Sequence, residues 1–238
     1  MTTVIVIPAR IESTRLPGKV LADIGGKPMI QHVWERCKQV PEAASVLIAT
    51  NSAVVARAAV RFGAAVALTP PWCWSGSHRI AVLSEKVEAD LYVDVQADLP
   101  LADPAAISHL IMEAVSRETD AVGLIAPTDR RRAPKHVVKT IRRRDGSAMF
   151  FSRGLDSPWA EVGVYAFSRR ALETYLRESA GGESVMARDT SIEQLAFLEY
   201  GVTWECAEWP VSMLSVDTPR DLRLAREEYA RASASTAA

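Results

Sequence analysis

The start of the chain constrains its fold most. Val4-Ile5-Val6-Ile7 is apolar at every position. A short strand without polar alternation suits the buried centre of a parallel sheet, where both faces are covered. It gives way to Pro8-Ala9-Arg10-Ile11-Glu12-Ser13-Thr14-Arg15-Leu16-Pro17-Gly18-Lys19. In open α/β sheets ligands bind beyond the carboxyl ends of the strands. Pro8 and Pro17 stiffen the loop, and Gly18 allows backbone to approach an anion. A plain connection needs only a few residues. A long, stiff loop bearing Arg10, Arg15, Lys19 and the hydroxyls of Ser13 and Thr14 therefore reads as the holder of a phosphorylated ligand. Its spacing fits neither GxxxxGK[ST] nor GxGxxG.

Strand and helix patterns alternate beyond it. After the turn Gly25-Gly26-Lys27-Pro28, Met29, Ile30, Val33, Trp34 and Cys37 recur at helical spacing. Strand 46–50, a helix carrying Val54, Val55, Ala58, Ala59 and Phe62, and strand 64–68 follow. The pattern predicts an α/β, Rossmann-like fold with a mostly parallel central sheet and helices on both faces. Late strands near 137–141 and 162–167 are expected to run antiparallel as a small lobe. A chain of 238 residues can bury one such core. The small, polar stretch 230–238 is expected to be a disordered tail.

Charge is balanced, 28 Lys and Arg against 29 Asp and Glu, which argues against a nucleic-acid or anionic-membrane surface. No apolar run approaches membrane-spanning length, and the N-terminus lacks a signal-peptide pattern. Cys37, Cys73 and Cys206 have no metal-ligand spacing and read as reduced thiols. A cytoplasmic protein is expected.

Two later segments carry chemistry. In Pro70-Pro71-Trp72-Cys73-Trp74-Ser75-Gly76-Ser77-His78-Arg79, Ser77 is a candidate N-cap for a helix whose first-turn amides would face an anion or a base edge. Trp72 and Trp74 either stack on a ligand ring or wedge the loop against the domain, and His78 reads as a lone surface histidine. The strand Leu91-Tyr92-Val93-Asp94-Val95 runs into Gln96-Ala97-Asp98-Leu99-Pro100. A carboxylate just past a central strand, here Asp98, is placed to hold Mg2+ against a nucleoside triphosphate.

The motif Pro-Ala-Arg-x-x-Ser-Thr-Arg-Leu-Pro-Gly-Lys resembles the N-terminal signature of the sugar-activating cytidylyltransferases, most closely the 3-deoxy-manno-octulosonate (KDO) cytidylyltransferase family. The likeness covers most of the chain. It implies a single nucleotidyltransferase domain over 1–229, with the small lobe near 130–170, acting as a homodimer. Ser75-Gly76-Ser77-His78-Arg79 stands where the family has Ser-Gly-Thr-Glu-Arg, which implies that Ser75, Gly76, Ser77 and Arg79 help Pro8, Ala9, Arg10, Ser13, Thr14 and Lys19 grip the nucleotide. Gln96-Ala97-Asp98-Leu99 stands for Gln-Gly-Asp-Glu, and Val216-Asp217-Thr218-Pro219 for the family's Val-Asp-Thr-Pro. Asp98 and Asp217 would be the Mg2+ ligands, although Asp217 also lies at a helix start of ordinary capping chemistry.

The resemblance extends to an acceptor site. It implies acceptor contacts from Arg15, Gln96, Lys139, Arg153, Glu161, Tyr165, Glu193 and Gln194. Lys139 belongs to a strand like the family's Ala-Val-Lys-Val, whereas most of the cluster Arg130-Arg131-Arg132, Lys135 and Arg142-Arg143-Arg144 reads as a solvated face. Arg153 would face the acceptor or frame its loop. Glu193 and Gln194 match residues that bind acceptor hydroxyls, on a helix read over 190–201. Three departures bear on the acceptor. The family's long insertion after Ile-Pro-Trp is missing beyond Trp159, Glu161 stands where a sugar-contacting histidine is expected, and Leu99 replaces a glutamate.

These readings imply transfer of CMP from CTP to the hydroxyl of a KDO-like sugar acid with release of pyrophosphate, Arg10, Lys19, Asp98 and Asp217 carrying the catalysis. The partners would be CTP and an anionic small-molecule acceptor. The departures motivate an alternative acceptor, another keto-sugar acid or a phosphonate. A non-catalytic nucleotide-binding homologue is a third reading, disfavoured by retention of Arg10, Lys19, Asp98 and Asp217 together.

Overall fold

The computed structural model describes residues 1–129 and 134–236. The predicted cluster Arg130, Arg131 and Arg132 lies outside the described residues.

Strand β1 (Thr3–Ala9) is buried along its whole length and sits inside the main sheet. The basic loop follows and closes in a 3-10 turn over Lys19–Leu21. A small hairpin, β2 (Asp23–Ile24) and β3 (Lys27–Pro28), leads to α1 (Met29–Cys37), β4 (Ala43–Thr50), α2 (Ala53–Arg61), β5 (Ala65–Leu68) and α3 (Gly76–Ser84). Next come β6 (Leu91–Val95), α4 (Pro104–Ser116), β7 (Ala121–Pro127), β8 (Lys139–Arg142), β9 (Ala148–Ser152) and β10 (Trp159–Ser168). The chain ends with α5 (Arg169–Ser179), α6 (Val185–Thr190), α7 (Gln194–Glu199), β11 (Trp204–Glu208) and α8 (Pro219–Thr236).

The main sheet has the order β11-β7-β10-β6-β1-β4-β5. β1 pairs in parallel with β4 and β6, β4 with β5, and β7 with β11, so the sheet is mostly parallel as expected. β10 is the exception, antiparallel to both β6 and β7. Both late strands thus run antiparallel as expected, β8 against β9 and β10, but the lobe is smaller than expected. Val162–Phe167 is buried on both faces and belongs to the interior of the main sheet, where a continuous apolar run is stable. Only the β8–β9 hairpin stands aside, joined to β10 through the Lys139–Ala160 pair.

The period of two along a strand distributes the core. Ile5 and Ile7 of β1 pack with Ile30, Val33, Ile107 and Leu110 of α1 and α4. Val4 and Val6 face the other way, toward the layer holding Ile80, Leu172, Tyr175 and Phe197 of α3, α5 and α7. A third cluster, Ile24, Met29, Val216, Leu222 and Ala225, fastens α8 to the β2–β3 hairpin. α8 continues to Thr236, past the Ala230 boundary expected for a disordered tail; the run Ala230-Arg231-Ala232 is rich in the best helix former.

The single helix expected over 190–201 is two. Ser191, with φ 55°, ends α6 in the left-handed region, and α7 starts afresh. Among the described residues no helix is long and apolar enough to cross a membrane. The three cysteines are buried and free.

Candidate active site

A cleft of about 730 Å³ opens at the carboxyl ends of β1 and β6. Its walls include Pro8, Ala9, Arg10, Ser13, Thr14, Arg15 and Lys19 from the basic loop, with Ser75, Gly76 and Arg79 at the start of α3. Gln96 and Asp98 line it from β6, Arg153, Glu161, Tyr165, Glu193 and Gln194 from the far end, and Asp217 from the approach to α8. Segments distant in sequence thus meet in one place.

Lys19 is the junction. Gly18, at φ 67°, starts the turn that carries it, a backbone region glycine enters without a Cβ penalty. The Lys19 Nζ donates to Asp98 Oδ2 at 2.6 Å, Asp217 Oδ1 at 3.0 Å and the Val216 carbonyl at 3.2 Å. Arg15 Nη2 reaches the same Asp217 oxygen at 3.1 Å. Burial disfavours the charged ammonium of Lys19, but the Asp98 and Asp217 carboxylates outweigh it and raise its pKa. Burial acts against the Asp217 carboxylate too, and Lys19 and Arg15 more than offset it, so its pKa falls.

Local folding sets Asp217. The Val216 N–H donates to the Asp98 carbonyl at 2.9 Å, tying the two acidic segments together. Asp221 Oδ2 accepts from the Thr218 N–H at 2.8 Å and from the Asp217 N–H at 3.2 Å, while Thr218 Oγ1 accepts from the Asp221 N–H. This reciprocal cap, with Pro219 as the first helical residue, fixes the helix start and leaves the Asp217 side chain to the cleft.

The pair suits a hard divalent cation. Lys19 already shows a cation held among oxygen atoms only. Among the described residues no group of three or more His, Cys, Asp or Glu is placed to hold a metal. Two carboxylates alone suit Mg2+, which keeps several waters and completes its shell with substrate phosphates.

At α3 the structure differs from the sequence reading. Ser75, not Ser77, is the N-cap, its Oγ accepting from the His78 N–H at 3.0 Å. Ser77 is fully buried, and its N–H is taken by Glu193 Oε2 at 2.8 Å, so a protein carboxylate fills the seat expected for the nucleotide. His78 is buried rather than on the surface: Trp72, Trp74 and Tyr175 surround its ring, with the Trp74 centroid at 4.1 Å. Burial, helped by Arg79, pushes its pKa down to about 4, so it stays neutral near pH 7. Trp74 thus packs this loop against the domain and also lines the cleft, while Trp72 touches His78 but stays largely exposed. Arg79 is buried and bonded to the Thr69 hydroxyl.

The far end is acidic. Gln96 Nε2 lies 3.1 Å from both carboxylate oxygens of Asp94 and 3.0 Å from Glu193 Oε1. Gln194 Nε2 donates to Glu161 Oε2 at 2.6 Å, and Tyr165 donates to the same carboxylate. Burial, then Glu193 and Glu161, push Asp94 well up; burial raises Glu161 to about 7 and also raises Glu193. Arg153 frames this end, donating to the Thr190 carbonyl at 2.6 Å and the Ser191 carbonyl at 3.0 Å, where α6 runs out. Lys139 does not join: it is buried on β8, and Val137 and Val138 form the cleft wall there. Asp94, Thr69 and Tyr175 were not singled out from the sequence. A lone carboxylate inside an apolar strand is the signal that marks Asp94.

Comparison with known proteins fits this geometry. A family model described as cytidylyltransferase matches residues 4–195. The 3-deoxy-manno-octulosonate cytidylyltransferase of Chlorobium luteolum is 34% identical, covering 98% of this chain and 99% of that protein. That of Solibacter usitatus is 36% identical over 91% of this chain and 90% of its own. The structure of CMP:2-keto-3-deoxy-manno-octonic acid synthetase complexed with CTP superposes with a TM-score of 0.88 at 34% identity, covering 97% of this chain and 99% of that one. A putative glucose-1-phosphate thymidylyltransferase from Bacillus anthracis, 19% identical with a TM-score of 0.71, shares the fold.

Proposed function

The chain belongs to the cytidylyltransferase family, and we propose that it transfers CMP from CTP to the hydroxyl of a KDO-like sugar acid, releasing pyrophosphate. The observation that carries this reading is the junction at Lys19, where a basic loop meets two carboxylates from distant segments. Such an arrangement serves in-line attack on a phosphorus atom, in which positioning and charge neutralisation do most of the work.

On this reading the acceptor hydroxyl attacks the α-phosphorus of CTP, the new P–O bond forms, and the bond to the β-phosphate oxygen breaks. Arg10, Arg15 and Lys19 neutralise the triphosphate and the departing pyrophosphate. Pro8, Ala9, Ser13, Thr14, Ser75, Gly76 and Arg79 line the nucleotide half. Asp98 and Asp217 would hold Mg2+, which would supply positive charge to offset that of the triphosphate and ease attack. Gln96, Arg153, Glu161, Tyr165, Glu193 and Gln194 shape the acceptor half. No covalent enzyme intermediate is required.

One observation favours a second acceptor within the same chemistry. Glu161, fixed by Gln194 and Tyr165, stands in the acceptor half; its ionised form, which gains as pH rises through about 7, repels an anion placed beside it. The reading also includes a cytoplasmic homodimer; Ile141, Met149 and Phe150 on the β8–β9 hairpin are exposed apolar residues suited to a subunit contact.

The test is pyrophosphate release with Mg2+, CTP and KDO. Release that requires KDO supports the reading. CTP binding without release moves the acceptor to another sugar acid or a phosphonate, and absence of CTP binding overturns it.

A further inference from the structure

Asp94 has no part in the chemistry above, yet it is a fully buried carboxyl in the middle of the sheet. It lies between Val93 and Val95 on β6 and is registered against Tyr165 of β10. Among the described residues one group hydrogen-bonds it: Gln96 Nε2, at 3.1 Å from each oxygen. The same nitrogen also reaches Glu193 Oε1 at 3.0 Å. An amide nitrogen has two hydrogens, and oxygens of these two carboxyl groups take both. The Gln96 carbonyl oxygen is then the atom left for a ligand. Gln194 repeats the arrangement, its Nε2 spent on Glu161.

We propose that Asp94 is a positioning residue for the acceptor: it turns the Gln96 amide so that the carbonyl oxygen faces the cleft. The end of the cleft then offers hydrogen-bond acceptors, two amide oxygens and the carboxylates beside them. It selects a ligand end rich in donors, that is, a polyhydroxylated one, and discriminates against a phosphonate or carboxylate at that end. Burying a carboxyl in an apolar strand is costly unless it is hydrogen-bonded. An orienting role accounts for its single partner. Gly76 leaves the space this amide occupies, since a Cβ there would lie 3.0 Å from Gln96 Nε2.

This inference deepens the proposed function and rests on it for the acceptor. The experiment compares Asp94→Leu and Asp94→Asn in the full chain. With CTP and KDO, Asp94→Leu is expected to raise the KM for KDO about ten-fold, the loss of one oriented hydrogen bond, and to leave the KM for CTP unmoved. Asp94→Asn retains an oxygen that accepts from Gln96 and restores most of the KDO affinity. An unchanged KM for KDO in Asp94→Leu, or an equal rise in both KM values, overturns the proposal. A second measurement needs no acceptor: in protein labelled with 15N at glutamine side chains, the Gln96 NH2 exchanges slowly in the parent chain and rapidly in Asp94→Leu. Equal exchange overturns the positioning role even where KDO is not turned over. Failure of the parent chain to use KDO, with the exchange difference intact, strikes the proposed acceptor alone.

Discussion

The Lys19 Nζ and Asp98 Oδ2 stand 2.6 Å apart across 79 residues of sequence, and this contact closes the cleft at the point where a metal ion and a triphosphate would meet. On the proposed reading the ammonium would compete with a divalent cation for the same oxygen atoms. Mn2+ alone is therefore expected to bind weakly and to tighten when CTP draws Lys19 and Arg15 onto its phosphates. Lys19→Met should strengthen Mn2+ binding without CTP, read by calorimetric titration, while lowering turnover on the order of 100-fold. Unchanged Mn2+ affinity in Lys19→Met would contradict the competition.

Asp217 and Asp221 separate by role, although both stand at the start of α8. Asp217→Asn should reduce turnover on the order of 100-fold and leave thermal stability near that of the parent, because the Thr218–Asp221 cap persists. Asp221→Ala removes that cap and should cost about 1 kcal/mol of stability, measured by urea denaturation. A reversed pattern, with Asp217→Asn destabilised and active, would remove Asp217 from the site.

Glu161 gives the protein a pH-dependent stability. Burial, against the Tyr165 hydrogen bond, raises its carboxyl from 4.5 to about 7, so the folded chain holds this proton more tightly than the unfolded one. Its stabilising contribution is complete below pH 4.5 and is lost as pH rises through about 7. Glu161→Gln should flatten that part of the stability profile and be more heat-resistant than the parent at pH 8. A parallel loss of stability in both proteins across this window would count against the raised Glu161 acid.

Trp204 and Gly123 meet across the β7–β11 pair. A Cβ at Gly123 would lie 2.8 Å from Trp204 Nε1, and Trp204 is among the largest fully buried side chains. Gly123→Ala should destabilise the fold by about 1–3 kcal/mol through overpacking, seen as a lower urea midpoint with CTP affinity retained.

What the sequence disclosed follows from how local each signal is. Val4–Ile7 announced a central strand because nothing polar interrupts it, and the loop to Lys19 announced a wall of the cleft because its residues are stiff, basic and contiguous. The place of Asp98 on the cleft wall was legible from its position just past a strand. The insertion of β10 between β6 and β7 was not, because apolar residues such as Val164 and Phe167 specify burial but not the partner strand. Ser191 falls inside the expected helix, and its left-handed backbone sits where Arg153, from a distant strand end, gathers the carbonyls. Likewise, the burial of His78 and the capture of the Ser77 amide by Glu193 depend on residues about a hundred positions away.

The central claim is that the α-phosphorus of CTP passes to an acceptor oxygen. Phosphorus-31 NMR of the protein with Mg2+, CTP and KDO reads this directly. The account predicts that the three CTP resonances give way to one phosphodiester signal and one of pyrophosphate, in equal molar amounts. Conversion to CDP and inorganic phosphate, or three unchanged CTP resonances in a sample that does not bind CTP, would contradict it.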